Sequence, residues 1–162
     1  MKPGELTPEG VHHVVQNMRA KDREEIFATQ WTDDPYEFAN ALLRVGDFGF
    51  TLHADDGEPV VCCGAVPLWP GVWSVWMFAT DRFDEIALST TKFGKRVFFP
   101  ALEAAGWHRL ECRSLDTHTV AHRWLESLGA YKESETTKYG KAGERFFVYC
   151  WTKEPSKTQS DA

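Results

Sequence analysis

The sequence has no apolar run that approaches the roughly 20 residues needed to cross a bilayer, and Pro67 and Pro70 interrupt the best candidate. Residues 1–10 also lack the apolar segment of a secretory signal. Both absences argue against a membrane-spanning or exported protein. We therefore expect a soluble protein that stays in the cytoplasm, where it is made.

Basic residues are outnumbered by acidic ones, and cysteine pairs with C-x-x-C spacing are absent. The chain has 18 Lys and Arg against 24 Asp and Glu, a net charge of -6, whereas a general nucleic-acid binder needs clustered cations to neutralise phosphates. Its four cysteines never show C-x-x-C spacing, and each lies in an apolar or strand-like stretch. The sequence therefore predicts no nucleic-acid partner, no zinc site, and buried reduced thiols rather than disulfides.

The length of the chain and the absence of an internal repeat predict a single domain. Residues 1–10 contain two Pro and two Gly, and the last residues are polar without periodicity. We expect a flexible N-terminus over residues 1–10, one domain over 11–153 and a disordered tail over 154–162.

The order of predicted elements is β-α-α-β-β-β-α-β-α-β-β, which is typical of a mixed α/β sheet. β-Branched residues in 11–18 indicate a first strand. Residues 20–31 have helical composition, and residues 36–45 show helical spacing after the start signal at 33–35. Two helices are therefore expected after the first strand.

The middle of the chain predicts a hairpin, a buried strand and a helix. Asp56-Gly57 is a strong turn signal between two apolar strands. Residues 71–80 carry few polar groups, as expected for a strand that is covered on both faces. After a loop, Ser89 and Thr90 are expected to cap a helix over 91–105, and Pro100 should kink or break it.

The last third of the chain predicts a strand with one polar face, a short amphipathic helix and a final hairpin. Residues 107–114 alternate, so that Arg109, Glu111 and Arg113 share one face. The helix that follows has an apolar stripe and ends at Gly129, which serves as its C-cap.

The stretch "HTVAHRWLESLGAY" resembles the segment before the last two strands in the Gcn5-related N-acetyltransferase (GNAT) superfamily. The stretches "VWMFATDRF", "ALSTTKF" and "HRLECRSLDTHTVAHRWLESLGA" are more closely similar to a phage family related to the internal virion (core) protein of short-tailed phages. The resemblance implies a mixed, mostly antiparallel sheet of about seven strands with flanking helices.

The same resemblance implies that acetyl-CoA or another acyl-CoA is the cosubstrate, with no metal. In the superfamily, a glycine-rich loop at a helix start holds the pyrophosphate on backbone N–H groups, but residues 80–92 contain no glycine. We expect a degenerate form of that site at a helix start and at the edge of the preceding strand. Its candidate residues are Ser89, Thr90, Thr91 and Lys92 at the helix start and Phe78, Ala79 and Thr80 at the strand edge.

The tyrosine that commonly protonates the departing thiolate in the superfamily is replaced by Leu125. Tyr131, two residues after Gly129, is a weak substitute. His118 occupies the position of a superfamily Asn and is a candidate acid or base, because an imidazole titrates near neutral pH. Glu111 is the other candidate base, and an ion pair with a neighbouring arginine is its alternative role.

His118 and His122 also have the spacing of two metal ligands on one helix face. No third ligand other than Cys112 or Asp116 is near in sequence, so a half-buried packing histidine beside an exposed one is the preferred interpretation. The catalytic candidates are therefore Glu111, His118 and Tyr131.

Several other residues have a functional and a structural interpretation. Trp69, Trp73 and Trp76 could line an acceptor pocket, although packing is preferred for Trp76. The adjacent Cys62 and Cys63 are expected in the core. Asp33-Asp34 should cap the second helix, with attraction of an amine as the alternative.

The resemblance to these families implies one of two functions. The first is a phage-encoded N-acetyltransferase that transfers an acyl group to an amine, with Glu111 or His118 removing the amine proton. The second is a non-catalytic form of the fold that acts as an internal virion component or binds a host protein. The oligomeric state, monomer or homodimer, stays open.

Overall fold

The computed structural model describes residues 1–46 and 48–156. Its elements along the chain are β1 (Lys2–Glu5), α1 (Pro8–Gln16), α2 (Ala20–Phe27), α3 (Pro35–Val45), β2 (Phe48–His53), β3 (Pro59–Trp69), β4 (Gly71–Ala79), α4 (Phe83–Phe93), a π-helical turn (Gly94–Phe98), α5 (Phe99–Ala105), β5 (Trp107–Leu115), α6 (Thr119–Ser127), β6 (Tyr131–Thr136) and β7 (Phe146–Thr152).

The seven strands form one sheet in the order β1-β2-β3-β4-β5-β7-β6. The pair β4–β5 is parallel and the other pairs of the sheet are antiparallel. The mixed, mostly antiparallel α/β fold predicted from the sequence is therefore confirmed. The parallel pair matters most for function, because its ladder ends at Ser74 and Glu111, well before either strand ends.

The first strand was predicted in the wrong place, because residues 11–18 belong mainly to helix α1. Val11, Val14 and Val15 are fully buried at helical spacing, so one face of the helix packs on the sheet. Thr7 accepts a hydrogen bond from the Gly10 N–H, and Pro8 occupies the first turn. This cap and the burial of the apolar face outweigh the strand propensity of valine.

The N-terminal segment is ordered by pairing. Residues 1–10 were expected to be flexible, but Lys2–Glu5 pairs with β2 as an edge strand, and α1 begins at Pro8. Proline is tolerated at a sheet edge because its missing N–H faces away from the partner strand. Of the predicted disordered tail, residues 154–156 have no regular structure, and residues 157–162 lie outside the described part of the chain.

Two local predictions of the middle region are confirmed. Asp34 caps α3 by accepting a hydrogen bond from the Tyr36 N–H, with Pro35 as the first helical residue. Asp56-Gly57 forms the turn between β2 and β3, and Gly57 has a φ of 90°, a value that glycine adopts without strain.

Helix α4 starts earlier than predicted, at Phe83 rather than Thr91. Phe83, Ile86, Thr90 and Phe93 are buried on one helical face, so the apolar period starts in the segment assigned to a loop. The prediction failed because Asp84 and Glu85 look like loop residues, whereas acids stabilise the first turn of a helix.

Pro100 does not end this helix, and the helical segment continues past it. Proline lacks the N–H that a helix interior requires, and the π-helical turn just before it accommodates that loss. The Phe99 N–H donates to the Gly94 carbonyl, a bond across five residues. Helix α5 then continues to Ala105, so α4, the turn and α5 form one continuous helical segment.

The sheet separates two hydrophobic cores. On one face, α1 and α3 pack on β3 and β4 around Val14, Leu42 and Phe78. On the other face, α4, α5 and α6 cover a larger core that includes Leu110, Leu102 and Phe93. In the described ranges, no helix combines the length and apolarity required to cross a membrane.

Candidate active site

A gap between β4 and β5 is the central feature of the candidate site. Beyond Ser74 and Glu111 the two strands have no ladder between them, although both continue to their ends. Backbone groups that face the gap therefore need other partners or stay available for a ligand.

At the end of β4, the gap is closed by Asp22 of α2 and by Arg19, which directly precedes this helix. The Ala79 N–H donates to Asp22 Oδ2 at 2.8 Å, and the Arg19 N–H donates to the Ala79 carbonyl at 2.8 Å. Thr80 forms a bridge with Met18, and its N–H donates to Val60 of β3. Ala79 and Thr80, predicted to offer a free strand edge to a cofactor, therefore have their N–H groups engaged within the protein.

The Met77 N–H faces the same gap without a ladder partner. Backbone groups alternate in direction along a strand, and those of Ala79 face the gap whereas the Thr80 N–H faces β3. Met77, two residues before Ala79, therefore also faces the gap. Among residues 1–46 and 48–156, no hydrogen bond from the Met77 N–H across the gap is found. A carbonyl oxygen in the gap could accept this N–H.

A cavity of about 550 Å³ occupies the gap, and its lining residues come from both faces of the sheet. Its volume is in the range of small-molecule sites. On one side it is bounded by α2, α3 and the β6–β7 loop, and on the other by α4, the π-helical turn and α6. The residues from β4 and β5 that line it are Val75, Trp76, Met77, Phe78, Cys112, Arg113 and Ser114.

Asp22 is the most deeply buried carboxylate at this cavity, with 3% of the residue exposed. Arg19 donates to both of its oxygens at 2.8 to 3.0 Å, and the Ala79 N–H donates to one of them. Burial raises the pKa of Asp22 despite these donors. Asp22 therefore joins α2 to the end of β4 while retaining a proton more readily than an exposed aspartate.

Glu25 and His118 extend the cluster toward β5. Glu25 Oε2 accepts hydrogen bonds from Ser114 Oγ at 2.8 Å and the Leu115 N–H at 2.7 Å. His118 Nδ1 lies 3.1 Å from the same oxygen, and His118 Nε2 lies 3.4 Å from Asp22 Oδ1. We call Asp22, Glu25 and His118 the acidic cluster. All three line the cavity, and Glu25 is the member with the most exposed side chain, at 18%.

His122 has a structural role and is buried, which corrects the expectation of an exposed histidine. Its Nε2 lies 3.0 Å from the Leu115 carbonyl, and its ring stacks on Tyr149 with the centroids 5.2 Å apart. Burial lowers the pKa of His122. The neutral imidazole, which donates from Nε2, is therefore the form that the fold favours.

We expect His122 to make the protein less stable in acid. Because the folded-state pKa is lower than the unfolded value near 6.5, the unfolded chain binds the proton more tightly. The stabilising contribution is present above that value and is lost as the pH falls through the folded-state pKa. Urea unfolding of the wild type and of His122→Gln at pH 7.5 and pH 5.5 measures this effect.

The Gln variant keeps a donor for the Leu115 carbonyl but does not titrate. Its free energy of unfolding should therefore fall less between the two pH values than that of the wild type. An equal fall in the two proteins would show that His122 is not responsible.

The other two predicted catalytic residues do not reach the acidic cluster. Glu111 Oε2 accepts a hydrogen bond from Arg109 Nε at 2.7 Å, which is its predicted alternative role. Tyr131 lies on the edge strand β6, with its hydroxyl 3.0 Å from Thr152 Oγ1. Neither side chain lines the cavity. His118 is the predicted catalytic residue that the fold brings into the gap.

The predicted phosphate site was based on a helix start that lies elsewhere. Ser89, Thr90, Thr91 and Lys92 lie in the second half of α4, where backbone N–H groups bond within the helix. Thr91 Oγ1 donates to the Ala87 carbonyl and accepts from Trp124 Nε1 at 3.0 Å. These residues therefore cannot hold an anion on free backbone N–H groups.

The true start of α4 is acidic. Asp84 and Glu85 lie in its first turn, and Asp81 is exposed just before it. Arg82 is the cation at this position, and its guanidinium is bound by Glu85, Asp56 and Glu58 at 2.7 to 2.9 Å. Carboxylates occupy the helix terminus that would otherwise attract a phosphate.

Of the three tryptophans proposed to line an acceptor pocket, one lines the cavity, and the two residues of the Asp33-Asp34 pair have different partners. Trp76 lines the cavity and stacks on Phe78, whereas Trp69 is 62% exposed and Trp73 is partly buried against the core. Asp34 caps α3, and Asp33 pairs with Lys141 of the β6–β7 loop at 2.5 Å. That ion pair joins the α2–α3 loop to the β6–β7 loop, and both loops contribute residues to the cavity lining.

All four cysteines are free thiols. Cys62 and Cys63 are buried in opposite cores, as expected, and burial raises the pKa of Cys62 to about 12. In the described part of the chain, no group of three or more His, Cys, Asp or Glu is arranged to hold a metal ion. His118 and His122 have different hydrogen-bond partners and do not converge.

Sequence reasoning missed Asp22 and Glu25. Their segment, AKDREEIF, is rich in charge and indicates an exposed helix. One signal was available, since Asp22, Glu25 and Ile26 fall on one helical face. Only the position of α2 over the gap shows that this face is buried.

Comparison with known proteins supports the fold and not a particular family. No family model and no curated protein sequence matches the chain. Among solved structures, the ribosomal-protein-S18-alanine N-acetyltransferase from Escherichia coli is similar with a TM-score of 0.69 and 16% identity, over 98% of this chain and 97% of that chain.

Two further structures show the same similarity. Ard1 from Thermoplasma volcanium has a TM-score of 0.73 and 11% identity, over 93% of this chain and 96% of that chain. An acetyltransferase of the GNAT family from Bacillus anthracis has a TM-score of 0.63 and 15% identity, with 93% of both chains covered. The chain therefore has the fold of GNAT acetyltransferases.

Proposed function

We propose that this protein transfers an acyl group from a thioester to an amine in the gap between β4 and β5. The observation that carries the proposal is the cavity itself, which connects the unpaired Met77 N–H with the acidic cluster. An N–H that faces the gap can stabilise negative charge on a carbonyl oxygen, and a nearby carboxylate can accept a proton.

The reaction needs no protein nucleophile. The amine nitrogen attacks the thioester carbonyl carbon, a C–N bond forms, and the Met77 N–H donates to the carbonyl oxygen as it gains negative charge. Glu25 accepts the amine proton, with its carboxylate held by Ser114 and the Leu115 N–H. The carbonyl double bond then re-forms as the C–S bond breaks, the leaving thiolate takes a proton from solvent to become a thiol, and Glu25 returns its proton to solvent.

Acetyl-CoA or another acyl-CoA is the proposed donor, since the structural neighbours are GNAT acetyltransferases. An amine is the proposed acceptor, and it would enter from the side of α2 and the β6–β7 loop. His118 links Glu25 to Asp22 and so fixes the position of the base.

Calorimetric titration with acetyl-CoA and with CoA tests the proposal. We expect micromolar binding by the wild type and loss of binding in Ala121→Trp, because Ala121 lines the cavity and an indole would fill it. Arg123→Trp, on the exposed side of the same helix, is the matched control and should bind normally. No binding by the wild type at millimolar ligand would overturn the proposal.

A second candidate function is a non-catalytic one, and the acidic start of α4 favours it. Asp84 and Glu85 in the first turn and the exposed Asp81 before it would repel a pyrophosphate, and Trp124 joins α6 to α4 through its bond to Thr91. Under this alternative the protein is a phage-encoded virion component or binds a host protein. Purified protein that binds no acyl donor and transfers no acyl group would favour it.

A further inference from the structure

The part of the cavity on the side of the sheet that α4, α5 and α6 cover is an apolar space, which we call the α4 chamber. It is lined by Met77, Thr90, Phe93, Phe98, Leu125 and Leu128. Protein interiors are close-packed, so an open space among aromatic and aliphatic side chains is unusual unless it receives a ligand. The π-helical turn, which often marks functional sites, supplies Phe98 to its wall.

Thr90 is a buried polar residue of this chamber without a hydrogen-bond partner. The residue is 3% exposed, and in the described part of the chain Oγ1 has no partner. The adjacent Thr91 shows the usual solution, since its hydroxyl donates to the carbonyl four residues earlier. A buried hydroxyl without a partner costs free energy that a ligand could recover.

We infer that the α4 chamber binds the acyl part of a thioester whose chain is longer than acetyl, with the Thr90 hydroxyl donating to a carbonyl oxygen of that donor. This inference rests on the proposed acyl transfer and adds the class of the donor. The chemistry matches, because an acyl thioester combines an apolar chain with a carbonyl group. An acetyl group alone would leave most of the aromatic wall without contacts.

Thioesters of N-acetylcysteamine test this inference, because they lack the nucleotide and avoid the acidic start of α4. Acetyl, butyryl and hexanoyl thioesters are titrated into the wild type by calorimetry. Each added methylene that enters the chamber should tighten binding about three- to fourfold. Equal affinity for the acetyl and hexanoyl thioesters would overturn the assignment of the chamber.

The role of Thr90 is tested with Thr90→Val, because a valine side chain has nearly the same shape as threonine but no hydroxyl. Binding of the hexanoyl thioester should weaken about three- to tenfold, while the melting temperature of the ligand-free protein stays equal or rises because the unpaired hydroxyl is gone. Ser89→Ala, on the same helix and outside the cavity, is the control and should match the wild type. Unchanged affinity in Thr90→Val would refute the proposed hydrogen bond.

Leu128→Trp separates this inference from the proposed function. The indole should fill the chamber, so that the hexanoyl thioester no longer binds while the acetyl thioester still does. If Leu128→Trp still bound both thioesters, the acyl chain would not occupy the α4 chamber. If the wild type binds no thioester and no acyl-CoA, the proposed function itself fails.

Discussion

Asp22→Leu should lower the free energy of unfolding by about 3 kcal/mol, because it removes one partner from a buried polar cluster. The Ala79 N–H would lose its acceptor, and the Arg19 guanidinium would lose a carboxylate that it contacts at both oxygens. Arg19 is partly exposed and can recover some hydration, which limits the loss. Urea denaturation at pH 7 measures the change.

Two variants make this result specific. Asp22→Asn keeps an acceptor for the Ala79 N–H and should cost clearly less than Asp22→Leu. Glu24→Leu changes an exposed residue of the same helix, whose ion pair with Lys21 is a surface pair, and should alter stability by less than about 1 kcal/mol. If all three variants were equally stable, Asp22 would not be what holds α2 to β4.

Glu25→Gln should lower the rate constant of acyl transfer by about 10²- to 10⁴-fold, the range typical for loss of a general base. Glutamine keeps the volume and can still accept from Ser114 and the Leu115 N–H, so the fold and the binding of the donor should persist. The measurement is release of free thiol from an acyl thioester with a primary amine as acceptor.

A drop in kcat with little change in the apparent affinity for the donor is the expected pattern. Glu24→Gln, the exposed neighbour, should react at the wild-type rate. Activity retained in Glu25→Gln but lost in Glu111→Gln would assign proton removal to Glu111 instead, as one interpretation of the sequence had it.

Most of the fold could be predicted because local signals agree with the final structure. The turn at Asp56-Gly57, the cap at Asp34 and Gly129, whose φ of 95° ends the α6 segment just after the C-cap Leu128, each act through neighbouring residues. The predicted strand at Val11 and the predicted start of α4 were wrong for the same reason. Valine propensity and charge density are weak preferences, and burial against the sheet outweighed both.

The site was less predictable because its residues are brought together by tertiary contacts. His118 could be named from its helix, but its partners Asp22 and Glu25 lie more than ninety residues earlier in the chain. Thr90 was named as a phosphate ligand at a helix start, whereas the structure places it inside a helix with its hydroxyl unpaired in the apolar α4 chamber.

The sequence by itself determined the class of fold, the absence of cysteine pairing patterns, the hairpin turns and the helix that carries His118. These features depend on composition and on interactions within a few residues. The tertiary structure decided where α2 lies, which strand groups stay unpaired and which acids are buried. Burial and the partners of buried polar groups depend on contacts between segments far apart in the chain. Here these contacts form only when β4 and β5 separate and α2 packs across the end of β4.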